Sequence, residues 1–142
     1  MLKPVAFWDS SALVPLCVAQ PQTAKARMLY GSYGIVAWWA TQVEIMSGLT
    51  RLDRTRQIDH DRFLIGKQIA QEIVRGWLSV GSTGSIAAVA CSLLEMHPLR
   101  AADAMQLAAA LEWCEGKPKG NVFLTFDKRL SEAAGLAGFA LE

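Results

Sequence analysis

The chain is short of charge. Lys and Arg together number 14 and Asp and Glu 13, a net charge of +1, and charged residues fill only 19% of the 142 positions. A strongly basic domain would grip nucleic acid by neutralising phosphates over a wide surface. This balance excludes that mode and leaves room for a local basic patch. Histidine is scarce: His60 and His97 are the two copies, and they lack metal-ligand spacing. His97 precedes Pro98 and reads as a loop residue. Cys17, Cys91 and Cys114 are odd in number and far apart, with neither the pairing of a metal site nor that of a disulfide framework. Each reads as a small core residue in a reducing compartment. A glycine-rich phosphate loop and a nucleophile elbow are both missing, as are internal repeats and low-complexity linkers. The apolar window "GSIAAVACSLLEM" is too short to span a bilayer, and Asp9 interrupts the first apolar stretch where a secretory signal would continue. A soluble cytoplasmic protein with no membrane segment is the expectation.

What the chain has in quantity is apolar residues, 52% of the total. The length suits one domain over residues 1–142 with a sizeable core. The thin polar surface fits a face covered by a partner or a second copy. "PVAFW" (4–8), "IVAWW" (35–39) and "VFLTF" (122–126) are continuous apolar runs and read as buried strands, with "WLSV" (77–80) and "FALE" (139–142) as shorter candidates. Trp8, Trp38 and Trp39 belong to these strands and read as core. Helices are expected at 11–17, at 21–30 and from Thr41 through "IMSGLTRLDR". Thr41 and Glu44 have the spacing of a capping box at that last start. A helix over 57–75 carries Phe63, Ile65, Ile69 and Ile73 as an apolar stripe. Further helices follow at 85–96, over "LRAADAMQLAAALEWC" and after "DKRL". Alternating strands and helices predict an α/β fold, a three-layer α/β/α sandwich around a mostly parallel sheet. In such a sheet functional groups gather beyond the carboxyl ends of the strands.

Four of the thirteen acidic residues hold telling positions. Asp9 ends the first strand, Glu44 starts the helix after the second, and Asp127 follows "VFLTF". Asp103 lies among alanines in an apolar helix, where an unpartnered charge costs several kcal/mol or is neutralised. A metal ion would resolve that cost, and so would Arg100 or the helix dipole. Capping or turn roles stay open for Asp9, Glu44 and Asp127. A cluster of carboxylates, if formed, offers oxygen ligands suited to Mg2+ or Mn2+ rather than zinc or copper.

"VAFWDSSALV", "TQVEIMSGL", "HPLRAADAMQLAAAL" and "FLTFDKRLSEAAGLAGF", in this order across essentially the whole chain, resemble the PIN domain, and within it the VapC-type toxins of toxin–antitoxin pairs. The resemblance implies a single PIN-like nuclease domain with Asp9, Glu44, Asp103 and Asp127 as catalytic and metal-holding residues. Ser10 and Thr125 would support them. It further implies Mg2+ (or Mn2+) as cofactor and an RNA substrate whose phosphodiesters are hydrolysed by metal-activated water. Its partners would be a cognate antitoxin and a second copy in a homodimer, within a larger toxin–antitoxin complex. Three positions depart from the family's pattern: Ser47 stands where an arginine is common, Gln106 where a histidine is common, and Phe126 where a polar residue is common. These bear on substrate positioning and remove no carboxylate.

Candidate phosphate contacts are Lys128 and Arg129, which follow Asp127 directly, then Arg51 and Arg54, and more remotely Arg56, Lys117 and Lys119. Two other readings remain. One is a non-catalytic PIN-like binding or regulatory protein. The other is a different metal-dependent phosphohydrolase, such as a haloacid-dehalogenase-like phosphatase, which would want an aspartate at position 11, where Ser11 stands.

Overall fold

A computed structural model describes residues 2–81 and 83–142. Its strands are β1 (Val5–Trp8), β2 (Gly34–Trp38), β3 (Leu78–Val80) and β4 (Phe123–Leu124). The helices are α1 (Ser10–Cys17), α2 (Thr23–Ser32), α3 (Thr41–Arg54), α4 (His60–Gly76), α5 (Gly84–Met96), α6 (Ala101–Trp113) and α7 (Lys128–Ala137). The strands form one parallel sheet in the order β3-β2-β1-β4. The chain steps outward from β1 to β2 to β3, then crosses back so that β4 pairs with the other side of β1. That reversal opens a crevice at the carboxyl ends of β1 and β4.

Side chains alternate across the sheet and define its two cores. Ala6, Trp8 and Leu124 face α1, with Leu13, Ile45, Leu49 and Phe63 in the same cluster. Phe7, Val36 and Phe123 face the other way, onto Ile86, Leu107, Ala108 and Leu130. Helices α1 to α4 therefore cover one face and α5 to α7 the other. The result is the PIN-like α/β/α sandwich expected from the sequence.

Four expectations need correction. Trp39 is exposed, because it lies just past the end of β2. Of the cysteines, Cys17 is buried, but Cys114 is only partly so and Cys91 is exposed; α5 buries the Ile86–Ala90–Leu93 stripe and turns Cys91 outward. On α4, Phe63, Gly66 and Ala70 are buried while Ile65 is 58% exposed, since two positions round a helix from Phe63 is the opposite face. The 122–126 strand is shorter than its apolar run, and the 139–142 segment pairs through a single parallel bridge, Val122 to Ala140.

Gly66 shows how tightly α4 is set against α1. A Cβ there would stand 2.8 Å from Val18 Cγ1 and 3.1 Å from the Cys17 carbonyl oxygen. Gly66→Ala gains about 1 kcal/mol of helix propensity, but overpacking of this kind costs about 1–3 kcal/mol. The backbone oxygen cannot rotate away, so a net loss is expected. Thermal unfolding should record a Tm lower by roughly 3–8 °C.

Candidate active site

Asp9 leaves β1 with its backbone amide still donating to the Leu124 carbonyl (3.0 Å), so the sheet itself fixes where the side chain emerges. Asp9 is the N-cap of α1 and is 3% exposed. Its Oδ2 accepts from the Ser11 hydroxyl (2.6 Å), the Thr125 hydroxyl (2.8 Å) and the Ser11 amide (3.3 Å). Each hydroxyl in turn accepts a backbone N–H from the turn after β4: Phe126 N–H to Ser11 Oγ (2.9 Å) and Asp127 N–H to Thr125 Oγ1 (3.0 Å). Two short relays therefore run from backbone amide through hydroxyl to carboxylate, each bond polarising the next. They also explain why β4 stops: Thr125 turns inward, and the Phe126 amide serves Ser11 instead of a ladder. Asp9 Oδ1 accepts from the Ser10 hydroxyl at 3.4 Å, its one side-chain partner among the described residues.

Asp127 is built the same way. It is the N-cap of α7, and its Oδ1 accepts from the Leu130 amide at 2.9 Å. Capping and a place in the site are thus compatible for both aspartates, because one oxygen ties down the helix start and the other remains.

Glu44 lies in the first turn of α3, but not in a capping box. The N-cap is Ala40, with no side-chain cap bond, and Thr41 is already helical and fully buried. The partner of both residues comes from α6. Gln106 Nε2 donates to Thr41 Oγ1 (2.8 Å) and to Glu44 Oε2 (2.5 Å). Gln106 is itself 0% exposed, and its Oε1 has no hydrogen-bond partner among the described residues. Asp103 stands one turn earlier on α6, half-buried, with no ion pair to a cationic side chain among the described residues.

The electrostatics join these side chains into one group. Burial raises the Asp9 carboxyl above its ordinary value, against the lowering effect of its hydroxyl and amide donors. Burial pushes Glu44 from 4.5 up to about 7; the Gln106 donor pulls it down, and the charges of Asp9 and Asp103 push it up. Asp103 is raised by burial and then by Asp127 and Asp9. Like charges held together in this way call for a cation.

The donors, carboxylates and hydroxyls, are oxygen only, which fits Mg2+ or Mn2+. Among the described residues, however, no three His, Cys, Asp or Glu side chains stand close enough to form a ready-made cage. The donor chemistry fits the ion, and the arrangement is open rather than closed.

Raised carboxyl pKa values carry a stability consequence with a definite sign. A carboxyl that holds its proton more tightly when folded stabilises the fold below its unfolded pKa, and that stabilisation is lost as pH rises through the folded value. For Glu44 the window runs from 4.5 to about 7. The metal-free protein should lose Tm between pH 5 and 8, and Glu44→Gln should flatten that slope. Differential scanning fluorimetry in EDTA across this range checks it.

Two open clefts flank the carboxylates. One, of about 370 Å3, is lined by Arg100, Asp103, Asp127, Lys128 and Arg129. The other, of about 360 Å3, includes Ser11, Arg51, Phe126 and Asp127. Larger hollows of about 510 and 520 Å3 lie elsewhere and contain none of the four carboxylates. Lys128, Arg129 and Arg51 are thus beside the site, whereas Arg54 and Arg56 line neither flanking cleft. Lys117 and Lys119 lie in the segment entering β4 at its amino end, and in a parallel strand that is the end away from Asp127.

Sequence reasoning did not place Ser11, Thr41 or Gln106 among the site residues, although Gln106 stood out as a departure from the pattern of the family that the chain resembles. Ser11 had a local signal, a hydroxyl two residues after an aspartate, which is the spacing of an Asx turn. The contact between Gln106 and Thr41 had none, because it spans 65 residues of chain.

No family model matches the chain, and no curated protein matches it. Solved structures do. A chain from a toxin–antitoxin complex of Klebsiella pneumoniae superposes with a TM-score of 0.64 at 16% identity, covering 89% of this chain and 90% of that one. A chain of FitAcB from Neisseria gonorrhoeae superposes with a TM-score of 0.63 at 16% identity, covering 96% and 97%. At this identity the likeness is one of fold.

Proposed function

We propose that the chain is a Mg2+- or Mn2+-dependent endoribonuclease and the toxin of a cytoplasmic toxin–antitoxin pair. One observation carries the reading: four carboxylates from four separate segments lie toward the carboxyl end of the sheet, where the charges of Asp9 and Asp103 raise Glu44 and those of Asp127 and Asp9 raise Asp103. Asp9, Glu44 and Asp103 would hold one ion, with Asp127 completing the set or serving a second. A bound ion supplies Lewis-acid stabilisation of phosphate charge and lowers the pKa of water. The chain's own residues do the rest. Ser11 and Thr125 fix Asp9 through Oδ2, which would leave Oδ1 for an ion. Gln106 holds Glu44. Arg100, Lys128 and Arg129 hold phosphate beside the carboxylates and offset their charge toward a polyanion. The likeness in fold to a chain of the Klebsiella pneumoniae toxin–antitoxin complex supports the toxin role and an antitoxin as partner; a homodimer is the working unit expected from the family resemblance.

A non-catalytic module with the same fold is the second reading, favoured by the lack of a ready-made three-carboxylate cage among the described residues. Calorimetric titration with Mn2+ and Mg2+, followed by incubation with total RNA, separates the two. Micromolar-to-millimolar metal binding and cleavage that EDTA abolishes support the nuclease. Absence of both sinks it.

A further inference from the structure

Asp127 borders both flanking clefts, and the cleft away from Lys128 has its own construction. Its walls come from α1, the α1–α2 turn, α3 and the turn after β4, and they include Ser11, Gln20, Gln22, Gly48, Arg51 and Phe126. Both sides are pinned. The buried Thr23 hydroxyl accepts the Gln20 amide (2.8 Å) and donates to the Pro15 carbonyl (2.7 Å), which fixes the turn that carries Gln20 and Gln22. On the other side the Phe126 amide is held by Ser11 Oγ (2.9 Å). The floor depends on a missing side chain: a Cβ on Gly48 would stand 3.2 Å from Val14 Cγ2.

We propose that this groove is a nucleotide subsite that takes one unpaired nucleotide of an RNA strand crossing the carboxylates at Asp127. The inference rests on the ribonuclease reading and adds which of this chain's own residues seat a nucleotide beside the carboxylates. Phe126 offers an aromatic wall for a base, a contact that tolerates any base. The carboxamides of Gln20 and Gln22 can each donate and accept, as base edges require. A paired base has that edge occupied, so the subsite selects single-stranded RNA. Arg51 meets the adjoining phosphate, while Arg100, Lys128 and Arg129 hold the strand on the far side of Asp127.

The test is fluorescence anisotropy with a labelled 12-nucleotide single strand and with a hairpin of the same composition. The protein carries Asp103→Asn, so that the RNA stays intact, and Mg2+ is present. Phe126→Leu keeps an apolar side chain against the core but loses the ring, and Tm is recorded for every variant. Phe126→Leu and Arg51→Ala should each weaken single-strand binding by about 5- to 30-fold with Tm retained, and should leave hairpin binding nearly unchanged. Gln20→Ala and Gln22→Ala should level the differences among adenine, cytosine, guanine and uracil oligonucleotides. If Phe126 and Arg51 variants bind like the parent while Lys128→Ala or Arg129→Ala weakens binding, the subsite is wrong and the nuclease reading stands. If the parent binds no RNA at all, both fall.

Discussion

Asp103→Asn should reduce RNA cleavage by a factor of at least about a thousand, on the order of 4 kcal/mol of transition-state stabilisation, without loss of the fold. Asparagine keeps the shape of the side chain and one acceptor oxygen but removes the charge that would bind the ion. The structural alternative, a buried salt bridge, predicts the reverse for stability, and Asp103 has no such bridge among the described residues. Its carboxyl is instead raised by burial, by Asp127 and by Asp9. The ionised form is therefore a burden on the metal-free fold at neutral pH. The amide should leave the metal-free Tm at pH 7.5 equal to or above that of the parent, while the Tm increase on adding Mn2+ should shrink. Full cleavage by freshly purified Asp103→Asn would remove the residue from the mechanism. A fall in metal-free Tm with metal binding intact would assign it a structural role.

The same trade recurs at the neighbouring carboxyls. Asp9 and Glu44 also carry raised pKa values with burial as the largest cause. A cluster whose carboxyls hold their protons tightly without a cation is one that gains stability when a cation binds. The site is thus a place where the fold is locally unfavourable for reasons that its chemistry supplies. The hydrophobic faces behind it, Trp8 and Leu13 on one side and Phe7 and Phe123 on the other, hold it in place.

The strands and their order of alternation with helices were legible because buried parallel strands read as unbroken apolar runs, as in "VAFW" and "IVAW". As candidates, Asp9 and Asp127 stood out because each follows such a run, Glu44 because it starts the helix after one, and Asp103 because it interrupts an apolar helix. What was illegible came from contacts between distant segments. "TQVE" has the spacing of a capping box, yet Gln106 outcompetes the local backbone for both Thr41 and Glu44. "VFLTF" reads as five strand residues, yet Asp9 and Ser11 draw Thr125 and the Phe126 amide out of the ladder after Leu124. The cysteines looked alike in composition, but helix phase alone separates buried Cys17 from exposed Cys91. Local pattern set the elements, and the partners of polar side chains depended on which elements the topology brought together.

Gln106 is where that dependence should have its largest effect outside the carboxylates. One amide nitrogen serves both Thr41 and Glu44, at full burial. It is the larger of the two donors, with Ser10, that counter the effect of burial on Glu44. Gln106→Met keeps the volume and removes the donor. The Glu44 carboxyl should then hold its proton to still higher pH, because desolvation is no longer opposed by the stronger of the two hydrogen bonds that favour the charged form. Cleavage at pH 7 should fall by about 10- to 100-fold, the usual effect of removing a group that orients a metal-holding side chain. The loss should shrink as pH rises, so the acidic limb of the rate profile moves to higher pH. A role in packing alone would lower the rate equally at every pH, since methionine fills the same space. Gln106→His restores an N–H at this position and should recover part of the activity at pH 7. An unshifted pH profile in Gln106→Met, with Tm unchanged, would show that Glu44 does not depend on Gln106 for its charge.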